Sequence, residues 1–180
     1  MSENKVEDSS VAQAIKDKEL ESSRDLASKL PVVGNVAWLY MRSQIHKHYF
    51  LQDMESRVLP PVMKGQCKLY LQTKTGGLPM AFVSWAYLSE EAEENYCATQ
   101  RIAPKDWNSG ENIWLVDMIA PHGGEVAIVK ELYHKIFEKK AIHTFYPDED
   151  GNLQKTTLQA LAEKLRVDQT ANDADENTPH

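Results

Sequence analysis

Two residues of opposite chemical character, His46 and Asp117, are the most plausible chemical pair in this sequence. A carboxylate that orients an imidazole produces a general base that works at neutral pH. Asp117 lies inside an apolar run, Ile113 to Ile119, that has the character of a β-strand. Burial of an unpaired carboxylate costs several kcal/mol, so a buried Asp117 would need a partner. The alternation of the run equally allows Asp117 on the solvated face of an edge strand.

A hydroxyl lies one helical turn before the histidine, at Ser43. The spacing Ser43-x-x-His46 places both side chains on one face of a helix. Ser43 could serve as a nucleophile, orient the imidazole or cap a helix, and the spacing leaves these roles open. We expect His46 at the start of a helix, where the helix dipole disfavours an added proton and keeps the imidazole neutral.

Other patterns are weaker. The pair His46-x-His48 lacks the further ligands that a zinc site requires. No phosphate-binding loop of the form GxxxxGK followed by Ser or Thr occurs, nor does GxGxxG, so we expect no metal and no tightly bound cofactor. The pair Gly123-Gly124 before a helical pattern could bind an anion or simply begin the helix.

Charge is unevenly distributed along this 180-residue chain of net charge −7. Residues 31–88 carry six basic and two acidic side chains, whereas residues 89–165 carry eight basic and fourteen acidic ones. The basic part could face an acidic partner. We find neither a secretory signal nor an apolar run of about 18 residues. We therefore expect a cytoplasmic protein without stable membrane insertion and without a nucleic-acid partner.

The cysteines and tryptophans are interpreted as structural. Cys67 and Cys97 form no CxxC motif and no dense framework, so we predict two buried thiols rather than a disulfide. The four tryptophans are most simply core residues: Trp38, Trp85, Trp107 and Trp114.

The sequence pattern of the N-terminal third predicts helices. Residues 1–30 are interpreted as a flexible arm, partly helical, which Pro31 and Gly34 separate from the folded part. Two helices follow, with a break near Ser43 and a second break at Pro60-Pro61.

The remainder mixes strands and helices. A hairpin joins strands over residues 67–73 and 80–87, and Ser89 caps a helix that ends near Cys97. Strand 113–119, helix 125–140, strand 141–146 and helix 152–165 follow, and residues 166–180 have the composition of a disordered acidic tail. We therefore predict an α+β fold, a mixed β-sheet flanked by helices, over the domain 31–165.

Four segments together carry a family pattern: residues 34–39 and 43–46, GNVAWL and SQIH; 79–89, PMAFVSWAYLS; 106–110, DWNSG; and 114–121, WLVDMIAP, with Gly123. In this order and spacing the chain resembles the bacterial lysine acyltransferases that activate RTX toxins, the hemolysin-activating proteins. The resemblance runs from about residue 31 to 147.

This resemblance implies a variant of the GCN5-related N-acetyltransferase fold. It implies transfer of a fatty acyl group from acyl carrier protein to internal lysines of an RTX protoxin, with His46 and Asp117 as the catalytic pair. Ser43 matches a family serine. The expected partners are acyl carrier protein as donor, the protoxin, and a second copy of the chain in a homodimer.

Two alternatives stand beside this interpretation. A CoA-dependent N-acetyltransferase of the same fold class would need a glycine-containing pyrophosphate loop at a helix N-terminus, and the sequence lacks that string. A non-catalytic toxin chaperone would have no use for a base paired with an acid.

Overall fold

The computed structural model of the protein describes residues 3–148 and 150–164. Its helices are α1 (Glu3–Arg42), α2 (Leu51–Arg57), α3 (Leu59–Lys64), α4 (Glu90–Thr99), α5 (Glu125–Glu131) and α6 (residues 158–164). Its strands are β1 (Cys67–Gln72), β2 (Leu78–Leu88), β3 (Asn112–Ile119), β4 (Ile142–Pro147) and β5 (Leu153–Thr157). Two 3₁₀ turns, His46–His48 and Thr73–Thr75, and a π turn, Leu132–Ile136, complete the order.

The five strands form one sheet in the order β1-β2-β3-β4-β5. All neighbours are antiparallel except β3 and β4, which are parallel. Such a parallel pair needs a crossover, and α5 supplies it. The prediction of an α+β fold with a mixed sheet flanked by helices is therefore confirmed, and the architecture is compatible with a variant of the GCN5-related N-acetyltransferase fold.

Helices cover both faces of the sheet. On one face, Val83 of β2 and Leu115 of β3 pack with Ile128 of α5 and Leu158 of α6. On the other, Phe82 and Ile119 pack with Leu39 of α1, while Trp114 packs with Tyr96 of α4. Of the tryptophans, Trp85, Trp107 and Trp114 are core residues as predicted, but Trp38 is 36% exposed.

The long helix α1 continues through Pro31 and Gly34, so the predicted separation at these residues is wrong. A proline inside a helix costs one backbone hydrogen bond and clashes with the preceding turn. The turns that follow bury Val36 and Leu39 in the core, which favours continuing the helix. That residues 1–30 form a flexible arm stays a prediction. The predicted tail, residues 166–180, lies outside the described residues.

The break near Ser43 is confirmed, because α1 ends at Arg42. The predicted second helix is instead a 3₁₀ turn followed by α2 and α3, so His46 does not begin an α-helix. The break expected at Pro60-Pro61 falls at Val58, and the two prolines occupy the first turn of α3. Proline is tolerated there because the first-turn N–H groups have no helical partner.

The last predicted helix, 152–165, is wrong in its first half. Asp148 accepts hydrogen bonds from the backbone N–H groups of Asp150 and Asn152, and Gly151 has a φ of 84°. This turn reverses the chain, so residues 153–157 pair with β4 as β5. Helix begins only at Leu158.

Helix α5 is also shorter than the predicted 125–140. Its α-helical part ends at Glu131 and passes into the π turn, after which Glu138 and Lys139 have positive φ. The hairpin, the Ser89-capped helix and strands β3 and β4 are confirmed. Within the described residues, no helix combines the length and apolarity that a membrane crossing needs.

Candidate active site

The end of α1 places Ser43 and His46 above the sheet. The backbone N–H of Ser43 donates to Leu39 in the last turn of α1, and the N–H of Lys47 donates to the Ser43 carbonyl. A 3₁₀ turn then carries the ring of His46 back toward the body of the protein. His46 and Asp117 are each 7% exposed, although 71 positions separate them.

The three predicted site residues form one hydrogen-bonded chain. The distance from His46 Nε2 to Asp117 Oδ1 is 2.7 Å. On the other side of the ring, Ser43 Oγ lies 2.7 Å from His46 Nδ1. Ser43 Oγ also accepts the backbone N–H of His46 at 3.3 Å. The structure thus brings together Ser43, His46 and Asp117.

For a neutral His46, these contacts decide which ring nitrogen carries the hydrogen. An ionised carboxylate can only accept, so the Nε2 of a neutral His46 carries the hydrogen and donates it to Asp117. Nδ1 is then the basic nitrogen and accepts the Ser43 hydroxyl proton. Ser43 Oγ accepts the His46 backbone N–H through a lone pair, and its O–H remains available to donate to Nδ1. This arrangement is that of a general base held by an acid.

Tyr40 supplies a second donor to the aspartate. Its hydroxyl donates to Asp117 Oδ2 at 3.2 Å. Burial raises the pKa of Tyr40 above its usual range, and the Asp117 charge raises that pKa further, so the hydroxyl keeps its proton. Both carboxylate oxygens of Asp117 are therefore hydrogen-bonded, which is what a buried carboxylate requires. Tyr40 was not among the residues predicted for the site.

A β-bulge in β3 aims Asp117 at this site. Ser84 of β2 pairs with Asp117 and Trp85 pairs with Leu115, so Val116 has no partner on β2. An inserted residue reverses the alternation of the strand beyond it. Without it, Asp117 would share the sheet face of Leu115, which packs against α5. The interpretation of Asp117 as a solvated edge residue is wrong, since β3 lies inside the sheet and the bulge turns the side chain toward α1.

Two tyrosine rings enclose the imidazole. The Tyr40 and Tyr49 ring centroids lie 5.1 Å and 5.2 Å from that of His46. The guanidinium of Arg57 lies over the ring of Tyr49, 5.2 Å from its centroid. The ring orientation of His46 is thus fixed by packing as well as by its two hydrogen bonds.

The DWNSG motif anchors the connector that follows α4. The Trp107 carbonyl accepts from the Tyr87 backbone N–H, and the Ser109 and Gly110 N–H groups donate to the Tyr87 carbonyl. Ser109 Oγ accepts the backbone N–H of Ser89, directly before α4. The motif therefore fixes the connector to the end of β2.

The weaker candidates lie apart from this site. His48 is exposed, and among the described residues no group of three His, Cys, Asp or Glu could hold a metal ion. Gly124 begins α5 with a φ of 97°, so the glycine pair is explained by the turn. Cys67 and Cys97 are free thiols, but Cys97 is exposed and Cys67 only half-buried, so the prediction of two buried thiols is wrong.

Comparisons with known proteins agree with the resemblance. A model of the RTX toxin acyltransferase family matches residues 26–160. The chain is 34% identical over 125 residues to the RTX-I toxin-activating lysine-acyltransferase ApxIC of Actinobacillus pleuropneumoniae, covering 69% of this chain and 70% of the relative. It is 37% identical over 102 residues to the leukotoxin-activating lysine-acyltransferase LtxC of Aggregatibacter actinomycetemcomitans, covering 56% and 59%.

A third relative is the RTX-II toxin-activating lysine-acyltransferase ApxIIC of Actinobacillus pleuropneumoniae, 33% identical over 108 residues. That match covers 59% of this chain and 66% of the relative. Against LtxC and ApxIIC, the chain therefore spans less than two thirds of the relative's length. The family match extends over most of the described fold and includes Ser43, His46 and Asp117. The chain thus belongs to the RTX toxin acyltransferase family.

Proposed function

We propose that this protein transfers a fatty acyl group from acyl carrier protein to the ε-amino groups of internal lysines of an RTX protoxin, and so activates the toxin. The observation that carries the proposal is the hydrogen-bonded chain Ser43–His46–Asp117, in which a buried histidine is oriented by partners on both ring nitrogens. The names of the relatives, toxin-activating lysine-acyltransferases, support lysine acylation and toxin activation.

The residue types suit this chemistry. A lysine ammonium must lose a proton before its nitrogen can attack a thioester carbonyl. The ammonium first gives one proton to solvent. The amine nitrogen then bonds to the carbonyl carbon, the carbon–sulfur bond breaks, and the second proton that the nitrogen loses ends on the carrier thiolate. His46 takes that proton through Nδ1, and Asp117 stabilises the imidazolium that forms.

Ser43 lies where the incoming amine must approach, because its hydroxyl covers Nδ1 at 2.7 Å. We propose that the hydroxyl relays the proton: it accepts one from the amine as it gives its own to His46. A covalent acyl-enzyme on Ser43 or His46 is the alternative. Incubation with the acyl donor in the absence of protoxin distinguishes the two, since the relay predicts no acyl mass on the enzyme. Ser43→Ala should lower kcat by about 10²-fold, the usual contribution of one proton-transfer group.

We propose acyl carrier protein as the donor because exposed basic side chains lie next to Ser43 and His46 in the sequence. Arg42 and Lys47 flank Ser43 and are exposed, and they belong to the positively charged part of the sequence. Acyl carrier protein is acidic, and complementary charge accelerates association. No tightly bound cofactor is needed for the reaction.

A reconstituted reaction tests the donor. Purified protoxin and this protein are mixed with either palmitoyl-acyl carrier protein or palmitoyl-CoA, and lysine acylation is followed by peptide mass. We expect transfer from the carrier protein, and a decrease in rate with rising ionic strength. Transfer from CoA alone would favour the CoA-dependent alternative. Binding of the protoxin without acylation from either donor would favour the chaperone.

Two further properties are proposed with this function. We propose a cytoplasmic location, where the carrier protein supplies the donor, and cell fractionation tests it. We also propose a homodimer, supported by exposed apolar side chains on α1, Leu30, Trp38 and Met41. Light scattering of the purified protein measures that state.

A further inference from the structure

The two carboxylate oxygens of Asp117 are bound by different side chains. His46 Nε2 lies 2.7 Å from Oδ1, whereas the hydroxyl of Tyr40 lies 3.2 Å from Oδ2. Tyr40 is buried in α1 one helical turn before Ser43, and its carbonyl accepts the Ser43 backbone N–H at 3.2 Å. Asp117 is therefore shared between the histidine and a phenol that takes no part in the proposed proton transfers.

The phenol of Tyr40 acts as a fixed hydrogen-bond donor. Burial raises the pKa of Tyr40, and the charge of Asp117 and the hydrogen bond between them raise that pKa further. A phenol that keeps its proton donates it to the ionised carboxylate that it faces. This bond holds Oδ2 in place and leaves Oδ1 directed at His46.

The same hydrogen bond affects how readily His46 binds a proton. A hydrogen bond to a carboxylate is strongest when the carboxylate carries its full charge. A proton on His46 Nδ1 places a positive charge next to Asp117, which offsets that charge and weakens the bond from Tyr40. By linkage, a bond that is stronger with neutral His46 favours the neutral form of His46.

We propose that Tyr40 is a positioning residue for the acyl transfer: its hydroxyl holds the Asp117 carboxylate in place and takes up part of its charge, so that His46 stays neutral until it receives the proton of the amine. An aspartate bound by His46 alone would stabilise the imidazolium before substrate arrives and reduce the fraction of active base. The inference rests on the proposed transfer for its kinetic consequence, but not for its effect on the titration of His46.

Further titratable or charged groups lie near the pair His46–Asp117 on other elements: Tyr49 after the 3₁₀ turn, Asp53 and Arg57 on α2, and Tyr96 on α4. Burial raises the pKa of both tyrosines, Arg57 lowers it and the charge of Asp117 raises it, so both phenols keep their protons. The cation of Arg57 also disfavours a positive charge on His46. These groups are common to wild type and to a variant that lacks only the Tyr40 hydroxyl.

Ser84 provides another hydroxyl beside Asp117. It pairs with Asp117 across β2 and β3 and is fully buried, but within the described residues its Oγ has no hydrogen-bond partner. In the described part of the chain, the side chains that donate to the carboxylate are therefore His46 and Tyr40. Removal of the Tyr40 hydroxyl leaves Oδ2 without a donor unless Ser84 turns to supply one.

Nuclear magnetic resonance of the imidazole nitrogens tests the inference without any substrate. Protein labelled with ¹⁵N-histidine is titrated, and the Nδ1 and Nε2 shifts of His46 report its neutral fraction. In Tyr40→Phe, which keeps the buried ring, the midpoint of the His46 titration should move to higher pH by about half a unit or more. Tyr49→Phe is the matched control: it removes a hydroxyl from the other ring beside His46 but no hydrogen bond to Asp117, and its midpoint should stay at the wild-type value.

Two further proteins fix the sign of the effect. With 3-fluorotyrosine in place of Tyr40 the phenol is a stronger donor, so the midpoint should move to lower pH. The double variant Tyr40→Phe with Ser84→Ala removes both hydroxyls beside Asp117. An unmoved midpoint in Tyr40→Phe and in the double variant would overturn the inference, as would an equal movement in Tyr49→Phe. A midpoint that moves only in the double variant would overturn the assignment to Tyr40 and transfer the role to Ser84.

Kinetics distinguish positioning from packing. The kcat of Tyr40→Phe for protoxin acylation is divided by that of wild type at about pH 6 and about pH 8.5. The loss at the lower pH should be about threefold larger or more, because half a pH unit changes the neutral fraction about threefold. The KM for the acyl donor should not change, since the buried Tyr40 contacts no substrate.

The two readouts fail independently. An equal kcat loss at both pH values together with an unmoved His46 midpoint would make Tyr40 a packing residue and overturn the inference. If wild type acylates no protoxin but the His46 midpoint moves in Tyr40→Phe, the proposed reaction fails while the role of Tyr40 toward His46 stands.

Discussion

At the scale of single residues, both ring nitrogens of His46 have fixed partners. Nε2 contacts Asp117 and Nδ1 contacts Ser43, each at 2.7 Å, and two tyrosine rings hold the imidazole plane. The hydrogen bonds to Asp117 from His46 and Tyr40 compensate the cost of burying its charge. The site is therefore organised before any substrate arrives.

Asp117→Asn tests the role of that charge. The substitution keeps the shape of the side chain but removes the carboxylate that stabilises the imidazolium. We expect kcat for protoxin acylation to fall by about 10³–10⁴-fold, as for asparagine in comparable acid–base pairs. Steady-state kinetics measure it, with Asp17→Asn on the exposed face of α1 as the control. A loss smaller than tenfold would show that Asp117 is structural.

The pairing of His46 with Asp117 was predictable from residue types and from the family pattern, but their geometry was not. Strict alternation along β3 places Asp117 with Leu115, and only the unpaired Val116 changes that. Nothing in the apolar run marks a bulge. Tyr40 was missed because its helical spacing describes its buried ring and gives no sign of where the hydroxyl goes.

At the scale of elements, Glu93 connects α4 with two strands. Its carboxylate accepts from Trp114 Nε1 at 3.1 Å, Lys155 Nζ at 2.7 Å and Asn112 Nδ2 at 2.6 Å. Burial pushes the pKa of Glu93 upward, but the hydrogen bonds and charge of Lys155 and the Trp114 hydrogen bond outweigh it, and the pKa is lowered. A depressed folded-state pKa stabilises the protein above the unfolded pKa, and this contribution is lost as pH falls through the folded value.

Glu93→Gln should therefore destabilise the protein most at neutral pH. We expect the free energy of unfolding at pH 7 to fall by about 1–3 kcal/mol, since hydrogen bonds to a charged group are lost. The difference from wild type should shrink as the pH falls through the lowered folded-state pKa of Glu93, because the wild-type carboxyl then also becomes protonated. Urea unfolding at pH 7 and pH 3 measures both values, with exposed Glu94→Gln as the control. An equal difference at the two pH values would contradict this account.

Gly110 allows the connector to pass close to the end of β2. A Cβ at this position would lie 2.6 Å from the Leu88 carbonyl oxygen and from the Ser89 backbone. Backbone atoms cannot move aside as a side chain can, so we expect Gly110→Ala to destabilise by about 1–3 kcal/mol. Gly34→Ala is the opposite control: it meets no atom within 4 Å and should stabilise α1 by about 0.5–1 kcal/mol. Thermal unfolding measures both variants, and an equal change in stability for Gly110→Ala and Gly34→Ala would refute the steric argument.

The sheet was largely predictable and the ends of several helices were not. Strands β1 to β4 follow from apolar runs bounded by turn residues. Strand β5 was taken for helix because Asn152 to Leu165 contains good helix formers, and the turn that reverses the chain lies just before it. The hydrogen bonds to Asp148 that form this turn are local, two and four residues along the chain, and the turn lets residues 153–157 pair with β4. At Pro31 a break was predicted where the helix continues, because core packing of the following turns outweighed the low helix propensity of proline.

At the scale of the whole molecule, α1 has two parts. Between residues 16 and 28 every side chain is exposed. Lys29 anchors α1, since its ammonium donates to the Met63 carbonyl at 2.8 Å, and Val36 is the first fully buried residue among the described side chains of α1. The part of α1 that supports the site thus begins near residue 29.

Removal of residues 1–24 should leave the folded domain intact. The deletion keeps Lys29 and its contact with α3, so we expect the Tm to change by less than about 4 °C, equivalent to about 1 kcal/mol. Removal of residues 1–36 is the comparison, because it deletes both Lys29 and buried Val36 and should abolish cooperative unfolding. Calorimetry of both truncated proteins measures the Tm and the cooperativity of unfolding. A large loss in the shorter deletion would show that the first 24 residues belong to the domain.

The most direct test of the central claim is the mass of the protoxin after coexpression with this protein. Wild type, His46→Ala and His48→Ala are compared in parallel; His48 is the exposed histidine of the same 3₁₀ turn. The account predicts fatty-acyl mass increments on protoxin lysines with wild type and His48→Ala, and none with His46→Ala. Equal acylation with His46→Ala would contradict the assignment of the base, and an unmodified protoxin bound to the wild type would contradict the reaction itself.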